Sequence, residues 1–135
     1  MQVCKQGTDR RIVISTAWIL VTLNYIFLNI FKLMAEVTPT TAEEVELVNS
    51  MATPEMFLVS AIYLEMAMVM ILLTRVLKYG INRWANIIIA ALHTLGTLAS
   101  FFVVAPPIFS IFFMVVEVIT LLFIVWYAWS WKNNI

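Results

Sequence analysis

Residues 83–131 read RWANIIIAALHTLGTLASFFVVAPPIFSIFFMVVEVITLLFIVWYAWSW, and the reading of this stretch decides the fold. Between Arg83 and Glu117 it carries no Asp, Glu, Lys or Arg. A helix needs about 20 mostly apolar residues to cross the hydrocarbon core of a bilayer. Two such runs are present, divided at Pro106-Pro107, where a helix cannot continue. The predicted spans are 83–104 and 107–131, joined by a minimal turn over Ala105–Pro107. Each satisfies its own backbone in lipid, as a spanning segment must.

Upstream the pattern repeats. An apolar run over 12–34 follows Arg10 and Arg11, and a second over 55–77 is opened by Thr53-Pro54-Glu55. Thr53 suits the N-cap, Pro54 the first helical position, and Glu55 the positive end of the helix dipole. The first run is too long for the apolar part of a signal peptide, and Met34-Ala35-Glu36 is a poor cleavage site. It reads as a retained helix. Tyr79–Asn82, with Gly80, reads as a tight turn between spans two and three. The long connection, 35–53, holds Thr41-Ala42-Glu43-Glu44, a capping-box form. Val45, Val48 and Met51 follow at helical spacing, so this segment is either a short surface helix or a solvated acidic loop.

Composition agrees with four spans in one domain covering 1–135. Apolar residues make up 63% of the chain and charged residues 12%, with a mean hydropathy of +0.97. A soluble domain runs nearer about 45–50% and 25%. The expected fold is an all-α integral membrane four-helix bundle. Net charge is zero, so no nucleic-acid partner is expected; membrane lipids are the expected surroundings. The single cysteine, Cys4, excludes an internal disulfide and cysteine-based zinc sites. No motif calls for a cofactor or a metal.

Orientation follows from the basic residues. Lys5, Arg10, Arg11, Arg75, Lys78, Arg83 and Lys132 fall on one side of the four spans, and Lys32 alone lies towards the other. The positive-inside rule then places both termini in the cytoplasm. Glu36, Glu43, Glu44, Glu46 and Glu55 collect outside. Trp18, Trp84, Trp126, Trp129 and Trp131 all belong to the inner half, where an interfacial aromatic belt is expected.

The informative residues are the polar ones at depth. A charged side chain at the bilayer centre costs about 2.5–3.5 kcal/mol on insertion scales, and so calls for a reason. Glu65 lies near the middle of span two, His93 of span three, Asn24 of span one, and Glu117 slightly outside the middle of span four. Helical spacing groups Ser110, Glu117, Thr120 and Tyr127 on one stripe, and Asn86, His93, Thr97 and Ser100 on another. Ser15, Thr22 and Asn29 align on span one, with Asn24 on a different face, where it could meet a second copy in a homodimer. Glu65 shares its face with apolar residues only. Gly96 and Ser100 form a small-xxx-small pair, a mark of close helix contact. Pro54 and Glu65 are echoed by Pro107 and Glu117, a faint repeat that makes two related hairpins of the four spans.

The candidate ligand- or proton-binding residues are therefore Glu117, Glu65, His93, Asn24, Thr120 and Asn86. Carboxylates and an imidazole gathered at mid-depth can share one labile proton. They can equally bind a small lipophilic or cationic ligand, or act as acid and base on an apolar substrate. The bland alternative is interhelical hydrogen bonding worth about 1 kcal/mol per contact.

Three segments carry a family resemblance: Asn82-Arg83-Trp84-Ala85-Asn86-Ile87-Ile88, the closing Ile124-Val125-Trp126-Tyr127-Ala128-Trp129-Ser130-Trp131 with Glu117, and Ser15-Thr16-Ala17-Trp18 followed by Asn24-Tyr25-Ile26. Together they resemble a family of small, loosely DoxX-like bacterial membrane proteins. The resemblance implies a four-helix fold in the bacterial inner membrane and brings no reaction with it. Glu117, Asn86, Arg83 and Trp84 match its pattern. Asn29, His93 and Glu65 stand where an acidic, an aromatic and an apolar residue are expected. Three function classes follow: a binding or transport protein for a proton, cation or small lipophilic molecule; an accessory subunit; and an acid–base enzyme using Glu117 and Glu65 on a lipid-like substrate.

Overall fold

A computed structural model describes residues 9–35, 42–103 and 106–132. Among these residues five helices are formed: α1 (Arg10–Ala35), α2 (Ala42–Met51), α3 (Pro54–Val76), α4 (Tyr79–Val103) and α5 (Ile108–Trp129). Four of them, α1, α3, α4 and α5, are long and apolar enough to cross a membrane. The chain is a helical membrane protein.

Local chemistry sets the helix ends. Asp9 starts α1 two residues before the expected Ile12: its carboxylate accepts from the Arg11 N–H at 3.0 Å and its carbonyl from Ile12 and Val13. Thr53 caps α3 as expected, accepting from the Met56 N–H at 3.2 Å, with Pro54 in the first turn. The expected turn over Tyr79–Asn82 is instead the first turn of α4, and only Leu77 and Lys78 connect the two helices. Gly80 takes an ordinary helical conformation there. The Asn82 amide explains the tightness, because it donates to the Thr74 carbonyl at 2.6 Å and so closes the free end of α3. The connecting segment does contain a helix, α2; Thr41 of the expected capping box, the Glu44 and Val48 side chains, Cys4 and Ala105 lie outside the described residues or side chains.

Each spanning helix buries one stripe. On α1 it is Ile14, Ala17, Trp18, Val21, Tyr25 and Leu28; on α5, Ser110, Met114, Glu117, Leu121, Ile124 and Ala128. Both follow the alternating three- and four-residue spacing of a helix face. α1 packs closely on α3 and α5, and α5 on α4, while α3 and α4 touch sparsely. The four helices thus form a ring whose last seam, between α3 and α4, is thin. α3 buries only Ala67, Met70 and Thr74.

Arg10, Arg75 and Arg83 gather at one end of the bundle. Arg10 donates to the Tyr127 carbonyl and the Ser130 hydroxyl, both at 2.8 Å, and lies over the Tyr127 ring. Arg83 donates to the Trp129 carbonyl and lies near the Trp84 and Trp129 rings. Trp84, Trp126 and Trp129 are exposed, as an aromatic rim requires. Trp18 departs from that reading. It is fully buried at the centre of the ring, because its indole N–H finds a partner there in Asn86.

Candidate functional site

Two polar clusters occupy the core, stacked along the bundle axis. The one nearer the basic end is centred on Asn86. Its side-chain oxygen accepts from the Trp18 indole at 2.7 Å and from the Thr74 hydroxyl at 3.2 Å. Its amide donates to the Asn82 carbonyl and side-chain oxygen at 2.8 and 2.7 Å. Trp18 reaches across the ring from α1, so one asparagine ties α1, α3 and α4 together. Ser15 extends this end, donating to the Ile71 carbonyl at 2.9 Å and accepting from Arg75 at 3.1 Å. Every group here has a partner, as a polar network in a dry core needs.

The second cluster joins His93 to Glu117. The Tyr25 hydroxyl meets His93 Nδ1 at 2.8 Å and the Tyr63 hydroxyl at 3.1 Å. Tyr63 in turn donates to the His93 carbonyl at 2.8 Å and lies 3.3 Å from the Thr97 hydroxyl. Thr97 donates to the Glu117 carboxylate. Four helices contribute: Tyr25 from α1, Tyr63 from α3, His93 and Thr97 from α4, and Glu117 from α5. Asn24 and Tyr25 also face the Glu117 carboxylate. His93 and Glu117 are buried, yet among the described residues His93 Nε2 has no hydrogen-bond partner.

The expected residues are placed unequally. His93, Glu117, Asn86, Asn24 and Thr120 are all buried. Asn24 donates to the Phe113 carbonyl at 2.8 Å, so it points into the bundle and not to a second copy. Thr120 donates to the Val116 carbonyl within its own helix and joins neither cluster. Of the α1 stripe, Ser15 is buried and Asn29 exposed, its amide turned back to the Tyr25 carbonyl. Glu65 does not join His93 and Glu117. It is exposed on the outer face of α3, because Tyr63, two residues earlier, takes the inward position. A Glu65–Glu117 acid–base pair is thereby ruled out within one chain, and the two glutamates of the faint repeat occupy unlike environments. Among the described residues no three His, Cys, Asp or Glu side chains gather as metal ligands.

Sequence reading missed Tyr63 and gave Tyr25 no role at this site. Their signal was present: Tyr25 lies seven residues after Trp18, and Tyr63 seven before Met70, each on its helix's buried face. Gly96 is what admits Tyr63. A Cβ there would lie 2.9 Å from Tyr63 Cε2 and 3.1 Å from its hydroxyl. The Tyr63 ring, 4.1 Å from His93 and flanked by Tyr25, has little room to retreat. Gly96→Ala should therefore cost about 1–3 kcal/mol, the usual range for overpacking. Tyr63→Phe, which removes only the hydroxyl, should cost roughly 0.5–1.5 kcal/mol. Unfolding in mixed micelles measures both, and a Gly96→Ala cost below about 0.5 kcal/mol would contradict the tight fit.

Over residues 1–135 the chain matches a family described as "Family of unknown function (DUF6326)", and it belongs to that family. No curated protein and no solved structure matches it.

Proposed function

We propose that this member of a family without an assigned function is a proton-binding, and by extension proton-conducting, membrane protein whose working part is the chain His93–Tyr25–Tyr63–Thr97–Glu117. The observation that carries the reading is the line of hydroxyls from the imidazole to the carboxylate, interrupted only where the Tyr63 hydrogen is turned to the His93 carbonyl. Hydroxyls donate and accept at once, so a line of them can pass a proton by switching partners. One arrangement, reached once the Tyr63 hydrogen swings from the His93 carbonyl to Thr97, has every donor pointing the same way: His93 Nδ1–H to Tyr25, Tyr25 to Tyr63, Tyr63 to Thr97, and Thr97 to Glu117. In it His93 Nε2 is a bare acceptor. Nε2 is buried in this conformation, so a proton reaches it only when the core opens to a donor such as water; its arrival there would let the Nδ1 proton move towards Glu117. In the opposite arrangement Tyr25 donates to Nδ1, and Nε2 carries the hydrogen. The two arrangements differ in which end holds the proton, as a relay requires.

The wider expectation, a small lipophilic or cationic ligand at this same site, has less support. The two surface grooves lined by Ile62–Ile89 and by Ile12–Phe123 include neither His93 nor Glu117. An accessory role with purely structural contacts is favoured by one observation, the full pairing of the Asn86 cluster. The basic end of the bundle would face the cytoplasm, with both termini inside, in a bacterial inner membrane. The DoxX-like resemblance points the same way.

Purified protein in liposomes, given a pH step across the membrane and read with an internal pH dye, tests the proposal. Glu117→Gln keeps the size and a hydrogen-bonding oxygen, and should slow proton movement at least about tenfold, in line with the loss of a positioned acid–base group. His93→Phe should do the same. If both variants fold and neither changes the flux, the path is structural and the accessory reading stands.

A further inference from the structure

Glu65 has no part in the core relay, and its surroundings are hard to reconcile with an isolated bundle. It lies mid-way along α3, exposed, and no described residue hydrogen-bonds it. Around it runs an open groove along the thin α3–α4 seam, lined by Ile62, Met66, Val69, Met70, Leu73 and Ile89. All six are apolar. Intramembrane carboxylates are almost always paired or turned inward, since an uncompensated charge in hydrocarbon is costly. Among the described residues this one has no cation in reach. Arg75, on the same helix, is roughly 15 Å further along the axis at 1.5 Å per residue, and Lys32 and the other described Lys and Arg lie near helix ends.

We infer that the groove is a lateral binding site for a membrane-dissolved monocation with an apolar body, such as an alkylammonium, with Glu65 as its counter-ion. Charge complementarity selects this occupant. A second copy of the chain, packed on the same face about a two-fold axis, would bring carboxylate against carboxylate. A neutral lipid tail offers the carboxyl no partner. An alkylammonium supplies the missing cation at mid-depth, and its chain lies on the apolar residues of α3 from Glu65 towards Leu73. The groove opens sideways, so the ligand enters from the lipid phase without crossing the basic end. A few well-placed polar groups in an apolar cleft are the ordinary make-up of such sites.

Binding of radiolabelled dodecyltrimethylammonium to the full chain in lipid nanodiscs, with empty discs as background, tests the inference. The wild type should show a saturable component that dodecanol does not compete away. Glu65→Gln should weaken it at least about tenfold, as truncating one member of a desolvated charge pair does. Glu65→Asp should keep it within a few-fold. Glu117→Gln should leave it unchanged, which separates this site from the core relay. Because Glu65 is exposed and makes no hydrogen bond, Glu65→Gln should melt as the wild type does. Absence of a saturable component, or equal binding by Glu65→Gln, overturns the inference. So does efficient disulfide dimerisation of Val69→Cys in a Cys4→Ser background that the amphiphile does not reduce, since the groove would then be covered by a second copy.

Discussion

Trp18→Ala should destabilise the bundle by about 3–5 kcal/mol, the range for deleting a large buried aromatic side chain. Trp18 is fully buried, meets the His93 ring edge-on at a centroid distance of 5.6 Å, and donates its indole N–H to Asn86 at 2.7 Å. The indole fills the middle of the ring, between the Asn86 cluster and the relay. Its loss leaves a hollow that four helices cannot close together, and removes one of two donors to the Asn86 oxygen. Trp18→Phe keeps most of the volume and should cost roughly 1–2 kcal/mol, near the value of one unmade buried hydrogen bond. Equilibrium unfolding in mixed micelles gives both numbers. A loss below about 1 kcal/mol for Trp18→Ala would place the side chain at a rim that tolerates truncation.

The contrast between Trp18 and the other tryptophans shows what a sequence discloses and where it stops. Span number and length follow from apolar runs and Pro106-Pro107, because lipid forbids any unsatisfied backbone and leaves few choices. The inward stripes on α4 and α5 follow from helical period: Asn86, His93, Thr97 and Glu117 are buried, and only Ser100, at the far end of the α4 stripe, is exposed and turned back to the Thr97 carbonyl. Depth along a helix is readable in this way. Rotation is readable only where polar residues form a stripe. Trp18 has the depth of a rim residue by sequence distance, and only the partner on α4 reveals that it turns inward. Glu65 is the sharper case. Its depth is that of a site residue, but Tyr63, Ala67, Met70 and Thr74 claim the inner face of α3, and Glu65 falls outside it. A polar-tipped aromatic was the better guide to the interior of this helix than a charge.

Asn86→Leu should be the second severe change, at about 2–4 kcal/mol, although it swaps one side chain for another of similar size. The expected cost comes from what is left behind. The Trp18 indole and the Thr74 hydroxyl lose their acceptor, and the Asn82 side-chain oxygen loses a donor. Stranded buried polar groups cost roughly 1–3 kcal/mol each when no partner replaces the lost one. Thr74 can turn back to its own helix, which keeps the total below a simple sum. The remedy is equally specific. Combining Asn86→Leu with Trp18→Phe removes the stranded indole N–H as well as its acceptor, so the double variant should be less unstable than the two single losses added together. A coupling of about 0.6–1.7 kcal/mol is expected, as measured for hydrogen bonds between membrane helices. Strict additivity would mean that the indole and the amide stabilise the bundle independently. Since Trp18 comes from α1 and Asn86 from α4, opposite each other in the ring, a measured coupling would make their hydrogen bond the cross-tie holding His93 at its fixed distance from Tyr25. Proton flux through the relay should then fall in Asn86→Leu even though no member of the relay has been touched.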